Sequence, residues 1–484
     1  TSAGNSAYTA TAIAQTPAPA PAAPSGLVAT PVTTSQIDLT WTDNSGGQAS
    51  FLLERQTGSG AMSQVALLGP GATSYSDTGL AAGTQYGYVV IATNTGGDSA
   101  PSNTATATTP APAPVPTTTD VTLGTGGAKS IQYTDPDGTT GVITFNGPGS
   151  IVLHFSAGTV VGASRASKGK VLSGRATIVG ISAVGTTTRS TLTLSGRGGD
   201  RLLSVGSISA SGAMGSIMAR NVDVTGDVNI AGGVRSVHLH SAHGGNFSVP
   251  SAAQVAVTGD FADQVNASAL GTFTAGSISS GDWSVAGAVG VMRVVGSASF
   301  SLTAAAMRSM SVGGGLTGST LTFTSPASGA SMSLRTLVVH GLLVGSTINS
   351  AGNIGTVQAA GLSGSKLYAG VSGLVAGQTL PTTSAQLSSA VLRVLTLSGR
   401  GTSAADVNSA IAAGIIGQLN LGTIQTANGG VRFGVAAHLI ASLVGTDVST
   451  RKHLALRKLN SASNTSAMLA GEGISGQDLI VQVM

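Results

Sequence analysis

The sequence predicts an all-β chain: a β-sandwich followed by a long β-solenoid, with an orphan β-strand ahead of both. Three observations carry this expectation. A degenerate unit, apolar-x-x-apolar-x-apolar, recurs between about Val205 and Leu443, with copies starting at Met214, Val234, Ala252, Leu270, Val289, Met307, Leu334, Ile354, Leu392, Ile416 and Ile440. The first six starts are 20, 18, 18, 19 and 18 residues apart. Upstream, residues 24–109 read as short alternating runs separated by turn clusters, the pattern of a sandwich. Composition agrees: glycine is high at 70 of 484 residues and only 8% of residues are charged, while 41% are hydrophobic.

The repeat decides the larger part. Apolar residues at its fourth and sixth positions alternate, which is strand periodicity with both side chains on one face. A second signature follows ten or eleven residues after the start: Gly245-Asn-Phe, Gly281-Asp-Trp, Gly318-Ser-Thr-Leu, Gly345-Ser-Thr-Ile and Gly364-Ser-Lys-Leu. One unit is then two or three short strands joined by glycine turns, and it must stack on its neighbours to bury its apolar face. A propeller blade needs roughly 40–50 residues, so this spacing excludes one. An ordinary sandwich with chance spacing is the competing account. Some eighteen coils at ~4.8 Å each would give a rod on the order of 85 Å, with a narrow, flattened interior.

The elements follow in order. Residues 1–16 echo a later stretch: Gly4-Asn-Ser-Ala-Tyr8 through Pro17 matches Gly97-Asp-Ser-Ala through Pro110. The later copy is the last strand of the sandwich. The first copy therefore reads either as the last strand of an upstream sandwich in a cut chain, or as a strand donated to another subunit. The chain starts at Thr1 without a methionine or signal peptide, which fits a mature protein or a fragment. Residues 17–24 and 110–119 are Pro-Ala linkers, semi-rigid spacers in polyproline II form.

Residues 25–109 form the sandwich, with strands expected at Gly26–Ala29, Ile37–Thr42, Phe51–Gln56, Gln64–Leu68, Ser74–Asp77, Tyr86–Thr93 and Asn103–Thr108. Trp41 sits in the second strand. Leu80, Tyr86 and Tyr88 supply the corner tyrosine and the buried strand after it. On Trp41-Thr-Asp-Asn, Phe51-Leu-Leu-Glu-Arg55 and Ser74–Asn94, the stretch resembles a bacterial fibronectin type III domain. That resemblance implies a spacer or adhesive module and carries over no catalytic residue.

Residues 120–200 read as a β cap with the first coils, from Ser130-Ile-Gln-Tyr, Val142-Ile-Thr-Phe145 and Ile151-Val-Leu-His-Phe155. Residues 201–484 are the repeats, closing on a cap strand. Loops are expected at Thr324–Ser333 and Gly373–Ser389, and short helices at Ala404–Gly414 and Ala436–Val444. On Tyr133-Thr-Asp-Pro-Asp-Gly138, Ser190-Thr-Leu-Thr-Leu194 and Asn428-Gly-Gly-Val-Arg-Phe-Gly434, this region resembles β-helical segments of large secreted surface proteins of environmental bacteria. The resemblance implies an extracellular address and a shape.

Totals exclude several classes. Cysteine is absent, so neither a disulfide framework nor a thiolate metal site exists. The net charge of +4 comes from scattered residues without a basic run, which argues against nucleic acid. No apolar run is long enough to span a membrane.

Candidate sites are few. Asp135 and Asp137 at a turn are hard-cation ligands, so calcium is the one cofactor considered, against a turn held by side-chain-to-backbone bonds. Asp227, Asp260 and Asp282 each follow a glycine and are weighed as a stacked acidic ladder against plain turn chemistry. His238 and His240 flank an inward Leu239, so both point outward on one face and read as a transition-metal pair or as a solvated strand face, and His243 falls in the next turn. Arg235, Arg308, Arg335 and Arg393 all hold the repeat's second position and read as a polyanion or subunit contact, or as outward solubilising residues. Tyr8, Ala10, Ala12 and Ile13 in the first strand, and Ile480, Val481 and Val483 in the last, are candidate assembly residues.

A polysaccharide-cleaving β-helix would need clustered carboxylates and aromatic sugar platforms, yet Glu54 and Glu472 are the only glutamates and Trp283 is the solenoid's only tryptophan. The expected function is therefore non-enzymatic. The chain reads as an extracellular structural subunit of a surface filament or layer, its partner being itself or other surface components. The alternative is a singly displayed adhesin for polysaccharide, with a β-helix enzyme third.

Overall fold

A computed structural model describes residues 19–110, 119–157, 159–162, 169–325, 331–399, 406–425, 433–461, 465, 468–469 and 478–484. The chain splits into two compact units, Thr1–Pro116 and Thr117–Met484.

The first unit is a sandwich of short antiparallel strands. Ser25–Thr33, Gln36–Thr42 and Ser74–Thr78 make one sheet. Ser63–Leu68, Ser50–Thr57, Gln85–Asn94, Gly97–Asp98 and Ala105–Thr108 make the other. Alternation along each strand turns Ile37, Leu39, Trp41, Phe51, Leu53, Tyr88 and Val90 into one core. Trp41 lies against Phe51 with ring centroids 5.9 Å apart. Leu80 is buried beside them, and the Tyr86 hydroxyl accepts the Ala81 N–H at 2.8 Å, which fixes the corner between two strands. Tyr88 donates its hydroxyl to Asp77 Oδ2 at 2.9 Å, and Arg55 Nη1 reaches both oxygens of the same buried carboxylate at 2.9 Å.

The second unit is a three-sided β-solenoid. Three parallel ladders run along it, each built from one strand per coil. In the first, Ile217, Val237, Val255, Phe273, Met292, Met310, Leu337, Val357, Leu395, Leu419 and Leu443 pair in succession, so the register is that of the sequence repeat. All eleven side chains are at most 1% exposed. Each such burial stabilises by roughly 1.5–3 kcal/mol, but only once the next coil covers it. The second ladder links Ile208, Val228, Phe247, Val265, Trp283, Leu302, Leu321, Ile348, Leu367, Ile411, Val435 and Val481. The third passes through Val205, Val224, Ala242, Phe261, Ile278, Ala298, Leu316, Leu343 and Leu362.

Eleven coils of the repeat stack here, not the eighteen expected from length. The difference lies in the cap and in long excursions, which consume residues without adding a coil. Thr119–Gly124, Ser130–Thr134, Thr140–Asn146 and Ser150–Phe155 form an antiparallel cap that pairs onto the first strands of the stack. Val371–Leu387 is one excursion. It carries a single 3-10 turn at Ser384–Gln386, and Leu380 and Leu387 pack with Tyr368, Ala412 and Ala436. Reciprocal amide bonds between Gln378 and Gln386, 3.1 and 3.2 Å, hold it shut.

Two further expectations are corrected. Within 404–414 the described residues include strand Ala410–Ala413, and Ala436–Val444 falls in strands Phe433–Ala437 and Leu439–Asp447. Alanine favours helix by propensity, but these segments sit in ladder register on Lys366–Ala369 and Ile415–Ile424, and that pairing wins.

One corner of the stack is lined by serine. Ser319, Ser346, Ser365 and Ser409 are each at most 2% exposed and follow one another coil by coil. The Ser319 N–H donates to Ser346 Oγ at 3.2 Å, Ser346 N–H to Ser365 Oγ at 3.1 Å, and Ser365 N–H to Ser409 Oγ at 3.3 Å. A left-handed residue precedes each serine: Gly318, Gly345 and Gly364 at φ +58, +56 and +57, then Asn408 at φ +51. Asparagine is the side chain that best tolerates that conformation, so the turn survives the loss of glycine.

Candidate binding surface

The outward face of the first ladder carries exposed cations and no acidic side chain. It consists of the second, third, fifth and seventh positions of the repeat, and none of these in the eleven copies is Asp or Glu. Arg220, Arg235, Arg293, Arg308, Arg335 and Arg393 project from it, all exposed. Among the described residues none of them has an ion pair. His238 lies in the same field: burial and the neighbouring Arg220 lower its pKa. Charge is unevenly divided along the chain, since residues 117–484 hold 21 Lys and Arg against 13 Asp and Glu, whereas 1–116 hold one Arg against five acids.

Toward the last coil this face sinks into a groove of about 730 Å³. Small residues at outward positions, Gly417, Ala441 and Ser442, make its floor, and Arg393, Arg457 and Lys458 line its sides. Gly417 has a local reason to be glycine, because a Cβ there would lie 2.3 Å from the Arg393 carbonyl oxygen. Arg457 and Lys458 come from His453–Leu459, which turns back antiparallel on Leu439–Asp447 and sets Arg457 opposite Ser442.

Acidic residues gather at the other end of the unit. Asp135 Oδ1 and Asp137 Oδ1 accept the Thr139 N–H at 2.9 and 2.7 Å, closing the turn. Asp200 joins them across 61 residues through Thr139 Oγ1, which contacts Asp137 Oδ2 and Asp200 Oδ1 at 3.3 Å each. Burial, then the adjoining Asp137 carboxylate, pushes Asp135 up to about 6, and the hydrogen bond from Asp135 holds Asp137 below the usual carboxylate range. Among the described residues no three Asp, Glu or His side chains converge closely enough to hold a metal.

The other sequence candidates separate. Asp227 and Asp282 precede second-ladder residues Val228 and Trp283, whereas Asp260 precedes third-ladder Phe261, so the three do not stack. Asp227 accepts the Asn246 N–H at 2.8 Å, and Asp260 accepts the Ser277 hydroxyl at 2.6 Å. His240 and His238 do not converge on a shared ligand. His240 Nδ1 instead contacts Asp223 Oδ1 at 2.6 Å, a carboxylate that is distant in sequence but one coil away. Trp283 is 2% exposed and packs among Phe261, Phe273 and Phe300, with centroids 4.6–5.4 Å apart, so it is no platform for a sugar. Tyr8, Ala10, Ala12 and Ile13 lie outside the described residues. Ile480, Val481 and Val483 belong to strand Leu479–Val483, which pairs in parallel with Phe433–Ala437.

Sequence reasoning missed Arg293, at the repeat's fifth position, and Arg457 and Lys458, outside the repeat. The signal it lacked was the absence of acids from every outward position, which shows only when the copies are aligned as coils. It also missed Asp263, 0% exposed at the corner later held by serines, whose Oδ1 accepts the Gly245 N–H at 3.0 Å while Oδ2 has no partner.

Residues 22–108 are a fibronectin type III domain. Among solved structures, a fibronectin type III-like protein from Clostridium thermocellum is 35% identical, with 20% of this chain and 99% of that one covered, at a TM-score of 0.17. A fibronectin type III domain of human fibronectin type III domain containing protein 3 is 25% identical over 20% of this chain and 94% of its own, at 0.18. Domains A168–A170 of titin are 26% identical over 19% of this chain, at 0.17; the chain spans 32% of that segment. No curated protein matches the chain. The domain and the solenoid fit an extracellular surface or structural protein, and no helix among the described residues is long and apolar enough to cross a membrane.

Proposed function

We propose that this chain is a non-enzymatic structural subunit of an extracellular surface filament or layer, joined copy to copy through its last strand, Leu479–Val483. Support comes from the contrast between two ladder ends. The first ladder stops at antiparallel His453–Leu459, whose exposed Arg457 and Lys458 discourage further pairing. The second stops at Leu-Ile-Val-Gln-Val, which is uncharged and, among the described residues, pairs as a strand only with Phe433–Ala437. An uncharged apolar edge is a template for strand addition. A contact between unlike surfaces of identical subunits propagates into a filament wherever its rotation does not close. Fibronectin type III domains are typical of extracellular proteins, which supports the address. The competing reading, an adhesin displayed singly, draws its support from the arginine face.

The test is electron microscopy and sedimentation of the full chain beside Val483→Pro. The Met484 N–H donates to Ala437 O, so by the two-residue period the Val483 N–H points away from Phe433–Ala437. Proline there removes an outward donor without taking an internal ladder bond. Wild-type polymers that the variant fails to form are expected. Wild-type protein that sediments as a monomer at every concentration overturns the proposal.

A further inference from the structure

We infer that the outward face of the first ladder, from Arg293 to the terminal groove, is a binding track for a linear acidic polysaccharide, carboxylated or sulfated, lying along the stack. The inference does not depend on polymer formation, since the face is present on one copy. Four observations carry it. Arg293, Arg308 and Arg335 occupy three consecutive coils, Arg393 follows two coils later, and Arg457 and Lys458 close the track beyond the last coil. With strands ~4.8 Å apart, these six cations cover roughly 30–35 Å along one face. No carboxylate interrupts the outward positions, and among the described residues none of the six is engaged in an ion pair or side-chain hydrogen bond of its own. Unneutralised guanidinium groups held on a laddered sheet are placed for bidentate contact with carboxylate or sulfate without reorganisation.

The remaining observations choose among polyanions. Between the arginines, the third and fifth outward positions are mostly short polar residues, including Ser309, Ser311, Thr336, Thr356, Gln418 and Ser442. Hydroxyl and amide groups of this kind suit a hydroxyl-rich polymer. No Phe, Tyr or Trp stands at any of the face's outward positions, so the large stacking platforms that single-stranded nucleic acid uses are missing. The groove of about 730 Å³ at the end of the track has room for sugar units between Arg393 and the Arg457–Lys458 pair, over a floor kept low by Gly417 and Ala441. Arg235, three coils before Arg293, is separated from the track by Ala253 and Gly271 and is not part of it.

The test measures binding of the immobilised full chain to polygalacturonate, heparin, neutral dextran and duplex DNA at 50 and 300 mM salt. Polygalacturonate or heparin binding that weakens at least tenfold between the two salts, with dextran unbound, is expected. Arg308→Gln/Arg335→Gln/Arg393→Gln and Arg457→Gln/Lys458→Gln should each weaken it tenfold or more. The corresponding Lys substitutions at Arg308, Arg335 and Arg393 should bind more tightly than the Gln variants but less tightly than wild type, since they keep the charge and lose the bidentate fork. Arg189→Gln, off the face, should leave it unchanged. All substituted side chains are exposed, so unaltered melting curves will show that the variants fold. The inference is overturned if neither acidic polysaccharide binds at low salt, if the Gln variants bind like wild type, or if duplex DNA binds more tightly than both polysaccharides.

Discussion

At the scale of single residues, two buried acids show how context decides chemistry. Asp77 in the sandwich is held by both Arg55 and the Tyr88 hydroxyl, so its charge is satisfied. Asp77→Ala should cost the sandwich on the order of 3 kcal/mol, because Arg55 is left half-buried without its partner; chemical denaturation of the variant checks this. Asp263 has no such partner. Burial lifts its carboxyl from the ordinary 3.8 to about 6, so between those values the folded chain keeps a proton that the unfolded chain has lost. Solenoid stability should therefore fall as pH rises from about 4 to 6 and stay lower above, by up to about 3 kcal/mol from this group. Asp135 acts in the same sense, so the diagnostic is the difference between wild type and Asp263→Asn. Melting temperatures at pH 4.5 and 7.5 should differ less in the variant, and an unchanged difference would remove Asp263 as the cause.

At the scale of elements, the coil corner matters as much as the strands. Ser346 receives the Ser319 N–H and donates its hydroxyl to Leu316 O at 3.0 Å, so Ser346→Ala leaves the Ser319 N–H buried without this acceptor and takes one bond from Leu316 O. A loss of about 1–3 kcal/mol is expected, read by urea unfolding of the full chain. Ser63→Ala, at an exposed position in the other unit, should change little. The corner was half legible beforehand. The Gly-Ser signature at Gly318, Gly345 and Gly364 marked a turn, but nothing in one copy reveals that its serine bonds to the serine of the next. Asn408-Ser409 escaped the pattern because asparagine replaces the glycine. The two segments expected to be helices failed for a related reason: short alanine runs carry little local preference, and the neighbouring coil imposes its register.

At the scale of the whole solenoid unit, each coil contacts only its neighbours, so stability is a sum of coil and interface terms. The interfaces are unequal. Phe247, Phe261, Phe273, Trp283 and Phe300 stack through the interior of consecutive coils with centroids 4.6–6.2 Å apart. Aromatic contacts of this kind add ~0.5–1.5 kcal/mol each beyond area burial. Amide hydrogen exchange should accordingly be slowest in these coils and quicken toward Leu479–Val483, as mass spectrometry of deuterated peptides would register. Uniform protection along the stack would contradict the nearest-neighbour account.

The sequence alone determined the fold class, the sandwich strands to within a few residues, and the ladder register, because apolar period and turn glycines are local properties that every copy repeats. It also marked Trp41, Leu80, Tyr86 and Tyr88, whose places in the sandwich depend on strand parity and one corner. Only the tertiary structure decided which side chains meet. Asp200 comes to Thr139, Asp223 comes to His240, and Arg457 comes to stand opposite Ser442, because stacking and strand reversal bring residues 15 to 61 positions apart into contact. It also decided which outward side chains stand beside a repeated arginine. A charge at one strand position is only an outward residue until the coils above and below are known to carry no acid beside it.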